Sequence, residues 1–417
     1  MNVPYCTNPM RRILIALPLM LPVMLPLSAT AQTSTAQTHA AQTSTAQTSA
    51  EKEWRTLEKR TQRSTYRFVG EAVQQALQEP LDAQSTTLVL VVKENGVRRL
   101  CIELPATLRQ QYRDGQLTLQ QVYAAMPMSN DTHEAVLALQ QAPASAPRDA
   151  WRPELVFYPQ LKLQNSGFHA LYTYAVNIAP AVEMNLWPGA RATAQVIFPI
   201  ATNLHGMYRR IRPGVLALEQ RFEFGSHWHG HLAAGNFTHE RLGGQGALWW
   251  RNATGRWEIG VEGGATVESM VLPTYGWRIS NQVRYNVHLN VQTYVPQVNC
   301  WLKASGGRFL YGDWGVRGEL VRAFGEHTIG IYGIYSEGEG NLGFTFSVPL
   351  PTKRYPENRG IRVRAAEYFG LEYSMRSWGK FIDNKLGRTY SVQPYRSYTQ
   401  QCWQPDYIRY YLEKTAK

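Results

Sequence analysis

The sequence predicts an all-β fold: an antiparallel outer-membrane β-barrel of about 12–14 strands over residues 151–417, including a carboxy-terminal tail, preceded by a small α+β periplasmic domain over residues 51–147. Three observations predict it. The amino terminus reads as a secretory signal, and segments of about ten residues after residue 150 alternate apolar and polar side chains. That same part holds 11 of the 12 Trp and 19 of the 23 Tyr, residues that favour a boundary between oil and water.

Composition narrows the class. Of 417 residues 44% are hydrophobic and 18% charged, the balance of a chain that buries a core rather than of a disordered or fibrous one. Lys and Arg number 43 against 31 Asp and Glu, for a net charge of +12, but they are scattered singly. The clustered basic stripe that grips nucleic acid is missing, so the charge serves solubility or affinity for acidic lipid or glycan. No run after residue 30 approaches the roughly 20 apolar residues that a spanning helix needs. A helical membrane protein is thereby excluded; a strand-built one is not.

Arg11 and Arg12 precede the apolar run Ile13 to Leu27, and Ser28-Ala29-Thr30-Ala31-Gln32 supplies a small-residue cleavage site. The signal is placed at residues 1–31, with cleavage after Ala31. Pro18, Pro22 and Pro26 would break a retained helical anchor. Residues 31–50 are four copies of a pentad of the AQTST type, too polar to bury, so 32–50 reads as a flexible linker.

From Glu51 to about Pro147 the signals are those of a small soluble unit. LEKRTQRSTYRFVGEAVQQALQE (57–79) reads as a mostly polar helical stretch. Two apolar runs then flank Asn95-Gly96, the dipeptide of a tight hairpin turn, which predicts a hairpin near 86–103. ATLRQQY and TLQQVYAAM, on either side of Asp114-Gly115, are short amphipathic helices. No catalytic arrangement shows here, so the unit reads as a docking module.

Beyond residue 150 the period is 2. In RYNVHLNVQTYV, Tyr285, Val287, Leu289 and Val291 share one face, while Arg284, Asn286, His288, Asn290 and Gln292 share the other. NLGFTFSVPL sets Leu342, Phe344 and Phe346 against Asn341, Thr345 and Ser347. IRVRAAEYFGLEYSMR sets Ile361, Val363 and Phe369 against Arg362, Arg364 and Glu372. Further segments fall near 153–163, 169–178, 181–187, 192–199, 214–224, 228–236, 243–251, 256–264, 299–309, 313–322 and 327–336. A soluble barrel of this many strands could not fill its interior with apolar side chains, which favours an apolar face turned to lipid. The lumen-facing polar candidates are Arg284, His288, Asp313, Arg317, Glu319, Arg362, Arg364 and Glu372. Their mixed signs predict a salt-bridged, partly filled interior.

DWGVRGELVRAFGEHTIGIYGIYSEGEGNLGFTFSVPLP, with a positively charged final strand leading to WGKFIDNKLGRTYSV, resembles the closing region of the YjbH family of outer-membrane proteins. The resemblance rests on a D-x-G strand ending in an Arg-x-Phe turn (Asp313, Gly315, Arg322, Phe324), a glycine-rich hairpin and an F-S-x-P-L strand end (Phe346 to Leu350). It implies a β-barrel that assists production or export of an extracellular polysaccharide, and it supplies no catalytic residues. The chain is shorter than the tandem-barrel members of that family and has a pentad linker of its own.

Candidate chemistry is sparse. His227, His229 and His231 share a strand face and could offer imidazoles to a metal, although a site would need a further ligand; histidines of a wet face are the simpler reading. Glu258 with Glu262, and Glu337 with Glu339, are carboxylate pairs of the glycosidase kind, but they equally fit a lumen ladder and a solvated turn. Nucleophile-elbow, zincin and phosphate-loop motifs are missing, so the expectation is no enzyme and no cofactor. Loss of the signal removes Cys6 and leaves Cys101, Cys300 and Cys402, from which a Cys300–Cys402 disulfide is expected. The function expected is a non-enzymatic outer-membrane component of exopolysaccharide biosynthesis and secretion. Its partners would be outer-membrane lipid, the polysaccharide and periplasmic export proteins. A general porin or solute channel is the second reading, and a barrel enzyme acting on lipid or glycan the third.

Overall fold

The computed structural model describes residues 52–59, 69–78, 87–131, 151–165, 172–225, 227–272, 276–350, 361–375, 386–394 and 403–416. The signal, the pentad linker and Cys402 lie outside them. Ala50 to Lys417 form one compact unit.

The small part is a sheet in the order β1 (Lys52–Lys59), β2 (Thr87–Glu94), β3 (Val97–Leu104), β4 (Met128–Ser129), carrying helices α1 (Gly70–Gln78), α2 (Ala106–Arg113) and α3 (Leu119–Ala125). The predicted hairpin is present. Asn95 and Gly96 take φ of 52° and 77°, the two left-handed positions of a type I′ turn. Thr118 and Gln121 form a reciprocal capping box at the start of α3. The helix expected over 57–79 is a correction: Leu57 to Lys59 belong to β1, parallel to β2 along its whole length, and the described helix begins at Gly70. Pairing to an apolar neighbour strand outweighed local helix preference.

One element was not anticipated. Helix α4 (Pro405–Thr415) sends Ile408 and Leu412, with Trp403 just before it, into the core formed by Val73, Leu77, Leu100, Val122 and Tyr123. Burial there lifts the Tyr123 phenol to about 12. Far in sequence, α4 thus completes the small domain.

The remaining strands form one 15-stranded sheet. In chain order they are β5 (Pro153–Asn165), β6 (Tyr172–Asn185), β7 (Ala190–Thr202), β8 (Arg212–Phe224), β9 (Trp228–Phe237), β10 (Arg241–Arg251), β11 (Trp257–Leu272), β12 (Gly276–Ile279), β13 (Arg284–Val295), β14 (Cys300–Arg308), β15 (Trp314–Phe324), β16 (His327–Ser336), β17 (Glu339–Pro349), β18 (Arg362–Ala365) and β19 (Tyr368–Ser374). Neighbours from β5 to β17 pair antiparallel in sequence order, except that β12 branches from β11. The segments expected at 169–178 and 181–187 are one strand, β6. Its Pro180 is tolerated because pairing to β7 lapses at Ala179 and Pro180.

The hydrogen-bonded ladder is not closed into a barrel, which corrects the expectation of a closed one. Its two end strands are nevertheless consecutive in the chain: β18 pairs parallel with β5, β19 pairs antiparallel with β17, and only Ala366 and Glu367 separate them. The ends of the sheet therefore meet at a bend in one segment. The branch strand and this break carry the count past the 12–14 expected.

The two faces are inverted relative to a soluble sheet. On β13, Tyr285, Val287 and Leu289 are 57%, 44% and 53% exposed, whereas Asn286 and His288 between them are 5% and 3% exposed. Trp228, Leu232, Ile331, Leu342, Phe344 and Val363 are likewise exposed, and Arg317, Thr345, Arg362 and Arg364 buried. Oil faces outward from strand to strand, and the charge is hidden.

Candidate functional site

Polarity drawn to the inner face has to be satisfied there, since an unpaired buried charge is costly. Around the bend between β18 and β5, Glu154 accepts from Arg362 at 3.0 Å and Arg364 at 2.8 Å, and Glu183 takes Arg191 at 2.9 Å and Arg364 at 3.5 Å, while the Tyr158 hydroxyl donates to Glu183. This cluster lies where the two ends of the sheet meet. On β15, Arg317 binds Glu372 at 3.0 Å and Glu319 at 3.5 Å, its guanidinium 3.8 Å above the Tyr332 ring. Asp313 sits at 0% exposure and accepts from Gly387 N at 2.7 Å and Ser336 Oγ at 3.1 Å.

The eight predicted lumen candidates differ in their surroundings, with Glu372 exposed and Arg284 half-buried. Arg317, Glu319, Arg362, Arg364 and Glu372 enter ion pairs. Asp313 anchors backbone. His288 is buried against Phe309, and Arg284 lies over the Tyr311 ring at 5.1 Å. Partners that the sequence reading did not name, Glu154, Glu183, Arg191, Glu219 and Arg221, were legible as polar members of alternating strands. Their pairing depends on strand register, which a single sequence does not give.

The interior is occupied by the chain itself. Gly387 N binds Asp313, Leu310 N donates to Arg388 O at 3.0 Å, Tyr390 Oη donates to Asn286 at 3.0 Å, Ser391 N donates to Thr238 Oγ1 at 2.8 Å, and Gln393 donates to Glu219 at 3.1 Å. Residues 386–394 therefore cross the inner face close to the loops at one end, with Gln393 reaching further in to Glu219. At the other end stands the small domain. Gly189 N donates to Asn95 O at 2.7 Å, Ser129 Oγ to Ala253 O at 3.5 Å, and Tyr407 Oη to Gly325 O at 2.9 Å, so alternate hairpin turns of the sheet all meet it or α4. A charge relay crosses this junction: Arg99 and Arg221 share Glu94, at 3.5 and 3.1 Å, and Arg221 continues to Glu219 at 2.8 Å. Burial pulls the Arg99 guanidinium down, and Glu94 beside it pushes the other way.

Between the threaded segment and the inner face lies a cavity of about 610 Å³. His229 and His231 line it, and His227 lies half-buried in the turn before β9. Among the described residues no group of three His, Cys, Asp or Glu could hold a metal. Glu258 is bound by Arg251 and Gln292, and Glu262 by Gln245; Glu337 lies in the β16–β17 turn and Glu339 starts β17. Cys300 is a free thiol whose Sγ donates to Val298 O at 3.3 Å, rather than half of a bridge; its expected partner, Cys402, lies outside the described residues.

Apolar outside, charge-laddered inside and threaded by its own carboxy-terminal segment, the chain is an inverted β-sheet protein. It belongs to the YjbH family, described as exopolysaccharide biosynthesis protein YbjH, which matches residues 16–351. That span takes in the small domain as well as β5 to β17; the threaded segment and α4 follow it. No curated protein and no solved structure matches the chain.

Proposed function

We propose that the large sheet is an outer-membrane β-barrel, with β18 and β19 as its seam, acting as a non-enzymatic component of exopolysaccharide biosynthesis and secretion. The observation that carries the proposal is the inverted sheet. A continuous apolar face over more than a dozen strands far exceeds what a soluble monomer exposes, and lipid is the solvent that suits it. Family membership supports the polysaccharide. The small domain then stands in the periplasm, where it would dock export or assembly partners. The general porin reading is disfavoured by the threaded segment, which occupies the space through which a solute would pass. Catalysis is disfavoured because the paired carboxylates of β11 are engaged by Arg and Gln neighbours.

Two experiments test this. Fractionation should recover the protein with the outer membrane, running at heat-dependent mobility on a gel; recovery in the soluble periplasm would refute the barrel. Deletion of the gene should lower secreted glycan, and unchanged glycan would refute the role.

A further inference from the structure

The inner face of β9 to β15 carries two adjacent cross-strand rows. Register places His229, Trp249, Gly260, Asn290, Ser305 and Arg317 side by side in one, and His231, Ala247, Glu262 and His288 in the other. Gly260 is the flat spot: a Cβ there would come within 2.3 Å of the Trp249 ring, so the indole lies down on the backbone of β11. Trp249, the three histidines of the two rows and Asn290 all line the 610 Å³ cavity. One row further along, a Cβ on Gly264 would stand 2.2 Å from the Tyr390 hydroxyl, so the threaded segment roofs the cavity on that side. On the opposite side the next row is Arg251, Glu258 and Gln292, the first and last of which donate to Glu258.

Most of the unfilled positions beside Trp249 are neutral; the cationic ones, Nε of Arg317 and of Arg99, belong to guanidinium groups paired with Glu372 and Glu94. The Nε2 atoms of His229, His231 and His288, Nδ2 of Asn290, Oε1 of Gln245 and Oδ1 of Asn236 are buried without a hydrogen-bond partner. His229, His288, Gln245 and Asn236 are at most 9% exposed. The charged residues beside them are spoken for: Glu219 by Arg221, Glu262 by Gln245, Arg317 by Glu372. What remains for a ligand is a set of neutral donors and acceptors around one flat aromatic face. Such a set matches a molecule with many hydroxyls and an apolar ring face, and at the platform an anion would find only guanidinium groups already paired with carboxylates; Arg212 and Lys162 also line the cavity, but toward the opposite end of the strands from the Trp249 row.

The geometry points to an uncharged carbohydrate site on this platform, with a sugar ring stacked on Trp249 and its hydroxyls bonded to His229, His231, His288 and Asn290. The cavity suits a short stretch of glycan, within the size range of small-molecule sites. This inference rests on the polysaccharide role proposed above and adds the place and the charge class of the glycan.

The test uses the full-length protein in a detergent without sugar headgroups, with neutral tetramers of glucose, galactose and mannose and with tetragalacturonate as probes, read by calorimetry. At least one neutral tetramer should bind with a Kd on the order of 1 mM or tighter. Trp249→Ala should weaken it by about tenfold, the loss of one stacked aromatic contact. Asn290→Asp, which keeps the size and removes a donor, should weaken it as well and carries the test if Trp249→Ala does not fold. Binding by none of the neutral tetramers, tighter binding of tetragalacturonate, or binding unaltered in the folded variants would each overturn the site. Gene deletion reads the role and calorimetry reads the site, so either can fail alone.

Discussion

Glu183 shows how much a single buried carboxylate can hold. It is 3% exposed, and it joins Arg191 of β7 to Arg364 of β18 while accepting from Tyr158. Glu183→Ala leaves two guanidinium groups without their shared acceptor, and breaking a buried pair in this way costs about 3–5 kcal/mol. Tyr158→Phe removes one donor to the same carboxylate and should cost about 1.5–3 kcal/mol. Urea titrations followed by gel mobility should rank the two variants in that order; equal stability would show that the cluster does not hold the seam. In the proposed barrel the outer face answers to lipid instead. Phe344 is 41% exposed and Thr345 6%. Phe344→Arg should cost about 2–4 kcal/mol near the midplane, whereas Thr345→Arg, placed beside Glu319, should cost clearly less. Equal losses at the two positions would show the face assignment to be reversed.

Among elements, α4 ties the end of the chain into the small-domain core. Leu412 is 2% exposed within the small-domain core, so Leu412→Ala should cost about 2–5 kcal/mol and make residues 69–131 the first to yield to protease. Cleavage that begins in the sheet would refute that. The helix was legible in its own residues: Pro405 at the first turn, then Ile408, Tyr411 and Leu412 at helical spacing. What could not be read was its destination, because the core it enters begins more than 300 residues earlier in the chain. The strands were read well where alternation is strict, as in β13 and β16, whose bounds fall where the pattern put them. β6 was split because a proline usually ends a strand. The helix expected from Leu57 overlaps only the end of β1, where the charged residues carry no period of 2 and the neighbour β2 explains the extension. In the cavity, the histidines and the paired charges were visible as a polar face; the flat-lying Trp249 was not, since it depends on a glycine that is its neighbour only through register.

For the whole molecule, the threaded segment decides between conduit and anchor. With residues 386–394 bonded to Asp313, Asn286, Thr238 and Glu219, the purified protein should show no large steady current in a planar bilayer. Asp313→Ala combined with Tyr390→Ala removes two of these fastenings and should give intermittent openings. Large stable currents from the unmodified protein would promote the porin reading.

The same thread sets a timetable. Residues 403–416 supply the last side of the small-domain core, and in the chain they follow residues 386–394, which are bonded to the inner face of the sheet. The small domain therefore cannot complete its core before α4 is in place. Its completion thus depends on the far end of the chain, beyond all the strands of the sheet. A half-assembled chain would present a small domain whose core still lacks Ile408 and Leu412.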